Sequence, residues 1–236
     1  MSSNALTAEQ PVESIKKFKF YTKGDSEEIE ISIPELLQPG YSFYSWPASS
    51  VLAWFLWIQR DKFVGKRILE IGCGTALPGI LLAKLGNCAK VIISDSCTLP
   101  NALKHVHRCC AANNLEPGKD IDVIGLTWGI LLKSVFDIAP LDYIIASDCF
   151  YDPSVFEDIL VTVSFLLSTA TDTTPVKFLF TYQDRSSDWS IEHLLQKWDL
   201  KCSKVSLSCV RKYCPLEIDD LMCGHTIHLL EITKLP

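Results

Sequence analysis

No stretch of this 236-residue sequence approaches the roughly 18 continuous apolar residues of a membrane span. The longest tempting run, Val51 to Ile58, has eight residues. The opening MSSNALTAEQ lacks the basic start and apolar block of a secretory signal. Basic residues are outnumbered, 22 against 28, giving a net charge of −6. A non-specific nucleic-acid binder usually has the opposite balance, so direct nucleic-acid binding and membrane association are not expected. There is no C-x-x-C pair, no internal repeat and no low-complexity segment.

What is present is an ordinary packed composition, 48% hydrophobic and 21% charged, which can bury a full core. Ten cysteines without a secretory signal read as reduced thiols. Cys109 and Cys110 are adjacent and poorly placed to share one tetrahedral ion. Cys202, Cys209, Cys214 and Cys223, with His225 and His228, are irregularly spaced, so no metal site is expected. His105 and His107 are two apart, face different sides of a helix, and read as surface polar residues.

Residues 1–14 are polar and aperiodic, the pattern of a flexible tail. Lys16 to Thr22 and Glu28 to Ile33 alternate apolar and polar residues around the turn residues Lys23, Gly24, Asp25 and Ser26, which predicts a β-hairpin. Pro34, Pro39 and Gly40 punctuate its exit. Trp46 to Arg60 reads as a helix, apolar on most sides and hence largely buried, with Pro47 in its first turn. Strands and helices then alternate. Strands are expected at Arg67–Ile71, Lys90–Ser94, Asp122–Leu126, Leu141–Ser147 and Lys177–Tyr182. Helices are expected at Leu77–Leu85, Pro100–Asn114, Pro153–Ser168 and Trp189–Trp198. Lys201–Leu207 and Thr226–Ile232 finish as strands with no convincing helix between them, so that end of the sheet turns antiparallel. The alternation predicts an α/β domain, a doubly wound, mostly parallel sheet with helices on both faces.

Ligands of such sheets sit at the carboxyl ends of the strands, near the switch point. The first strand of the alternation ends Glu70-Ile71-Gly72-Cys73-Gly74-Thr75-Ala76-Leu77-Pro78-Gly79, and its two alternating glycines let backbone approach a ligand. Asp95, twenty-one positions after Gly74, can accept two ribose hydroxyls. A dinucleotide loop needs a third glycine where Leu77 stands. Its pyrophosphate would also face Glu70, at a Coulomb cost of roughly 1 kcal/mol or more. A cofactor with a sulfonium and an ammonium, S-adenosyl-L-methionine, suits an acidic entry better. A tight strand–helix turn with a capping Asp95 is the alternative without a ligand. Trp46 and Trp128 could be core aromatics, Asp148 an N-cap, and Tyr151 a helix-entry residue. Tyr182 and Arg185, after the fifth strand, could line a substrate groove or simply be solvated.

The segments ILEIGCGTALPGILLAKLG, VIISDS, NN, LTWG and DYIIASDCFYDP resemble the seven-strand, class I S-adenosylmethionine-dependent methyltransferases. More narrowly they resemble the methyltransferase-like group with many protein lysine methyltransferases. YSWPASSVLAWFLW, FEDIL and TYQDRSSDWSIEHLLQKWDLKC extend the likeness over about residues 41–232. The resemblance implies a single Rossmann-like, seven-stranded domain over 15–236, with 15–40 a hairpin extension and 41–236 the cofactor-binding and catalytic core. It implies that Gly72, Cys73 and Gly74 run under the methionine part of the cofactor and that Asp95 binds ribose. Trp128 would border the adenine, Trp46 close the pocket, and Ser147 contact the cofactor as a small residue. Asp148 and Tyr151, in a D-x-x-Y form, would stand between methyl donor and substrate. Asp148 would orient the acceptor, and Phe150 and Tyr151 would hold a cation by cation–π contact. Ala76 departs from the group, where many members have a third glycine.

The implied activity is methyl transfer to a lysine or arginine side chain of a protein. The resemblance includes a member assigned to histone arginine methylation, so a histone is a candidate partner. A monomer in cytoplasm and nucleus is the matching expectation. A methyltransferase-fold binding module without turnover and a small-molecule methyltransferase stay open.

Overall fold

In a computed structural model, residues 12–22, 24, 26–37, 40–170, 175–186 and 189–235 are described. The hairpin is longer than the alternation alone predicts: β1 spans Val12–Tyr21 and β2 Glu28–Leu37, in antiparallel register. Residues 12–14, expected in the tail, therefore pair as strand. Residues 1–11, and Lys23, Asp25 and Pro39 of the turn and exit, lie outside the described residues. The hairpin's inner face buries Phe20, Ile31 and Ile33, with Phe20 at 4.9 Å from the Trp54 ring. That burial is what makes the strands persist, since an isolated hairpin is marginal in water.

Helix α1 (Pro47–Ile58) starts at Pro47, and every residue from Ala48 to Trp57 is buried. The core then follows as β3 (Arg67–Glu70), α2 (Leu77–Leu85), β4 (Lys90–Asp95), α3 (Pro100–Ala111), β5 (Asp122–Gly125), α4 (Lys133–Phe136), β6 (Tyr143–Ser147), α5 (Phe156–Leu167), β7 (Lys177–Gln183), α6 (Glu192–Lys197), β8 (Leu200–Val205), α7 (Ser208–Tyr213), α8 (Ile218–Met222) and β9 (Ile227–Lys234). The second sheet has seven strands in the order β5-β4-β3-β6-β7-β9-β8. The pairs from β5 to β7 are parallel, and β9 runs antiparallel to both neighbours. The doubly wound sheet and its antiparallel end match expectation.

Two features differ. Helices α7 and α8 occupy the connection between the last two strands. They are six and five residues long, too short to be stable alone. They are held by packing: Val210, Ile218 and Leu221 are buried in the same core as α1. His105, expected at the surface, is buried, with its ring at 5.3 Å from that of Phe43. The hairpin and the segment before α1 cover that face of α3, which helical spacing alone does not reveal. Asn113 fixes this cover. Its amide donates to the Ser32 carbonyl at 2.7 Å, and its Oδ1 accepts from the Ser32 N–H at 2.9 Å.

Apolar cores lie on both faces of the sheet. One joins α1, α2, α3, α7, α8 and the hairpin; the other joins α4, α5 and α6. Among the described residues no helix is long and apolar enough to cross a membrane. All ten cysteines are free thiols. Strand order reverses between β3 and β6, where the chain leaves β3 for β4 on one side and later returns to β6 on the other. The loops after those strands therefore diverge and open a crevice.

Candidate active site

A cavity of about 510 Å³ opens in that crevice. This is within the roughly 300–1,000 Å³ typical of small-molecule sites. Four strand ends and the segment before α1 build it. After β3, Gly72 and Gly74 take left-handed backbone conformations (φ 58° and 53°), which a side chain would strain. At Gly72 a Cβ would also lie 2.6 Å from Cζ2 of Trp128, so the glycine lets the indole pack on the loop. The Cys73 N–H donates to the Ser94 carbonyl at 2.9 Å, tying the loop to β4. Burial raises the Cys73 thiol well above its ordinary pKa, so this residue is a neutral wall rather than a nucleophile.

After β4, Asp95 accepts the Gly74 N–H at 2.9 Å through Oδ2 and the Ser96 N–H at 2.7 Å through Oδ1. Burial pushes its carboxyl above the usual range, and these two N–H groups pull it back. Both oxygens keep further acceptor capacity toward the cavity. Beyond β5, Trp128 presents its indole to the cavity, and its buried Nε1 has no hydrogen-bond partner. An orphaned buried donor at the wall of a cavity is a group that a ligand could satisfy.

Ser147 ends β6, and Asp148 and Tyr151 follow it, all three lining the cavity. Asp148 sits at φ 58°, and its N–H donates to the Thr181 carbonyl at 2.8 Å. Asp and Asn tolerate this region better than most residues. Its carboxylate accepts both ends of the Arg185 guanidinium, at 2.8 and 2.5 Å, and the Gln183 N–H at 3.3 Å. Trp46, one residue before α1, donates from Nε1 to the Tyr41 carbonyl at 2.9 Å. The ring of Tyr41 stands 5.2 Å from that of Tyr151 and 6.1 Å from that of Trp46, so three aromatics wall the mouth beside Asp148.

Nine of the ten residues singled out from the sequence thus line one cavity: Trp46, Gly72, Cys73, Gly74, Asp95, Trp128, Ser147, Asp148 and Tyr151. Glu70 does not. It is fully buried beneath the loop, where Oε2 accepts the Gly79 N–H at 2.8 Å and Oε1 has no partner. Desolvation pushes its pKa up to about 8, so at neutral pH it is mostly protonated. The expectation that Glu70 supplies negative charge to the ligand is therefore corrected. The acidic residues that do line the cavity are Asp95, Asp148 and Asp158. Phe150 is also corrected: it is in the core, with ring contacts to Phe156 and Phe180 at 5.3 Å, and offers no face to a cation. Of Tyr182 and Arg185, expected after the fifth strand of the alternation, Tyr182 lies within β7 and does not line the cavity, whereas Arg185 follows the strand and does.

Sequence reasoning missed Tyr41, Tyr44, Asp158, Gln183 and His225, which also line it. The aromatics of YSFYSW were the available signal for the first two. Asp158 lies on a helix that begins well after the strand end, and His225 belongs to the connection before β9. Neither has a local pattern that marks it.

Among the lining residues, three carboxylates face one arginine, itself committed to Asp148. Such a site disfavours a pyrophosphate and suits a cationic ligand. The residues present fit S-adenosyl-L-methionine: a glycine cradle, an acid at the end of β4 with acceptor capacity for hydroxyls, an aromatic with an unsatisfied N–H, and more acidic than basic groups in the lining.

Comparison with known proteins agrees with this geometry. The sequence profile of a family described as lysine methyltransferase matches residues 25–196. A histone-arginine methyltransferase METTL23 from Xenopus laevis is 44% identical over 211 residues, covering 89% of this chain and 86% of that protein. The METTL23 of Homo sapiens, with the same description, is 48% identical over 164 residues, 70% of this chain and 82% of that one. Among solved structures, the CcbJ methyltransferase from Streptomyces caelestis superposes with a TM-score of 0.53 at 11% identity, covering 84% of this chain and 94% of that one. At that identity the likeness speaks for the fold alone. With the family profile across most of the chain and relatives well above 30% identity along nearly its whole length, the chain belongs to the lysine methyltransferase family of Rossmann-like methyltransferases.

Proposed function

We propose that this protein moves a methyl group from S-adenosyl-L-methionine to a cationic side chain, arginine or lysine, of a protein acceptor, with a histone as the first candidate. The observation that carries this reading is that groups suited to both reactants line one cavity. We assign Gly72, Gly74, Asp95 and Trp128 to a cofactor wall and Asp148, Tyr151 and Tyr41 to an acceptor wall, with Trp46 closing the mouth. The family's lysine description and the relatives' arginine description both support a nitrogen acceptor on a protein. Nuclear and cytoplasmic residence is part of the same proposal.

When bound, the cofactor supplies a methyl group already activated by the positive sulfur. The chain's own residues then have little covalent work. The glycine loop and Asp95 fix the cofactor's sugar and backbone from one side. Asp148 orients the acceptor nitrogen by hydrogen bonding to its neighbouring N–H groups. Tyr41, Trp46 and Tyr151 exclude water and favour a cation by their ring faces. Alignment of this kind can contribute on the order of 7 kcal/mol or more. An amine entering this site loses its proton more readily beside a second positive charge. A guanidinium keeps its proton until the new N–C bond forms, and Asp148, hydrogen-bonded to it, would then accept that proton.

The test is incubation of the purified protein with methyl-labelled S-adenosyl-L-methionine and a knockout cell extract, followed by mass spectrometry of the labelled residue. Label on arginine or lysine side chains is expected. Label confined to metabolites, or no label while S-adenosylhomocysteine still binds, defeats the proposal.

A further inference from the structure

The oxygens of Asp148 are not free to receive an acceptor. Asp148 is held by its own N–H on the Thr181 carbonyl and by the Gln183 N–H on Oδ1, which together aim the carboxylate along the cavity wall. Against it lies Arg185. Nη1 donates to Oδ1 at 2.8 Å and Nη2 to Oδ2 at 2.5 Å, a two-point fork. Nη1 also donates to the Gln183 carbonyl at 3.1 Å. The carboxylate is 6% exposed and the guanidinium 25%, so the pair is partly desolvated on the acid's side and open on the arginine's. Both residues line the cavity that carries the cofactor wall.

We propose that Arg185 is an internal stand-in for the acceptor, displaced from Asp148 when substrate binds, so that every acceptor bears the cost of breaking this fork. The inference rests on the acceptor reading above. Replacing one planar guanidinium by another restores two parallel, charge-assisted bonds on the same two oxygens, so the exchange is nearly balanced. An ammonium is a compact, strongly hydrated point charge and cannot match both oxygens with one coplanar fork. It must evict Arg185 and recover less. The pairing also means that Asp148 is not an unpaired, buried charge between turnovers.

One probe, methylguanidinium, separates this from a fixed role for Arg185. Calorimetry on the full chain should show Arg185→Ala binding methylguanidinium at least tenfold tighter than wild type, and the double variant Arg185→Ala/Asp148→Asn losing that gain. Arg185→Lys, which retains a cation but not the fork, should also bind it more tightly than wild type and stands in if the alanine variant does not fold. With paired peptides differing only in an arginine or lysine acceptor, Arg185→Ala should lower KM at least fivefold for each peptide that the wild type methylates, with the ratio of their kcat/KM values unchanged, because the cost of displacing Arg185 is common to both. Equal methylguanidinium binding by wild type and both single variants overturns the proposal. So does a fall in kcat on the arginine peptide with KM unchanged, because that marks a fixed positioning residue. If the variants gain methylguanidinium as expected but wild type methylates neither peptide, the displacement stands and the protein-acceptor reading is what fails.

Discussion

Glu70 and Gly79 are joined beneath the cofactor loop: the Gly79 N–H in the first turn of α2 donates to Oε2 of a carboxyl that no solvent reaches. A Cβ at Gly79 would stand 2.5 Å from that same oxygen and 2.4 Å from Cγ2 of Ile93, so a glycine is needed for the approach. The bond fastens the start of α2 to the end of β3 and so sets the loop between them.

The pH dependence of stability should report this group. Its folded pKa of about 8 lies above the ordinary value of 4.5, because burial penalises the charged form more than the Gly79 bond favours it. Between those values the unfolded chain gives up the proton and the folded chain keeps it. Glu70's contribution is therefore fully present below pH 4.5 and is lost as pH rises to about 8. Urea unfolding of wild type and Glu70→Gln from pH 5 to 9 should show wild type losing more, by roughly 1.4 kcal/mol per pH unit within the window. Parallel curves would mean that Glu70 is ionised in the folded protein.

Ala76 holds a left-handed conformation, φ 57° and ψ 30°, as the residue before α2, and its methyl is fully buried. A left-handed non-glycine residue costs roughly 1–2 kcal/mol. Ala76→Gly removes that strain but gives up a buried methyl, about 0.8 kcal/mol, and adds unfolded-chain entropy of about 0.4–1 kcal/mol. The terms nearly cancel, so the substitution should shift stability by less than about 1 kcal/mol. Ala76→Val combines a β-branched residue at positive φ with overpacking, each costing about 1–3 kcal/mol. It should lower the melting temperature by several degrees. A Val variant as stable as wild type would contradict the backbone described.

Asp95→Ala should weaken S-adenosylhomocysteine binding at least tenfold by calorimetry. Each ribose hydrogen bond to a charged acceptor is worth roughly 1.5–3 kcal/mol. Asp95→Asn keeps an oxygen for the Gly74 N–H. If Asn restores binding, the loop tie is what mattered; if it does not, the carboxylate itself meets the ligand. NADH should not bind in any case.

Asp148→Asn should lower turnover at least about tenfold, equivalent to 1.4 kcal/mol, with S-adenosylhomocysteine affinity little changed. Tyr151→Phe, which keeps the ring beside Tyr41, asks whether the hydroxyl has a part: retained turnover assigns Tyr151 to the wall. Loss of cofactor binding by Asp148→Asn at an unchanged melting temperature would move Asp148 to the cofactor wall.

The periodicities and the residues at strand ends were enough for the doubly wound sheet, its antiparallel end, and Gly72, Gly74, Asp95 and Asp148 as cavity residues; Trp46, Cys73, Trp128, Ser147 and Tyr151 were placed there by the family resemblance. Strand-end positions are legible because a parallel sheet always delivers them to one rim, whatever the details of packing. The short helices α7 and α8 were not, since their stability comes from contact with α1 rather than from their own few residues.

What the sequence by itself determined was therefore the order of elements and which rim would carry the chemistry. Only the tertiary structure decided the charge state and the partners of the groups placed there. Glu70 and Asp148 are both carboxylates at or just past a strand end, and no local pattern separates them. Burial without a cation leaves Glu70 protonated at neutral pH, whereas Asp148 meets a guanidinium brought from thirty-seven residues away. Solvation and long-range pairing set the electrostatics of a carboxyl group, and both are properties of the folded chain.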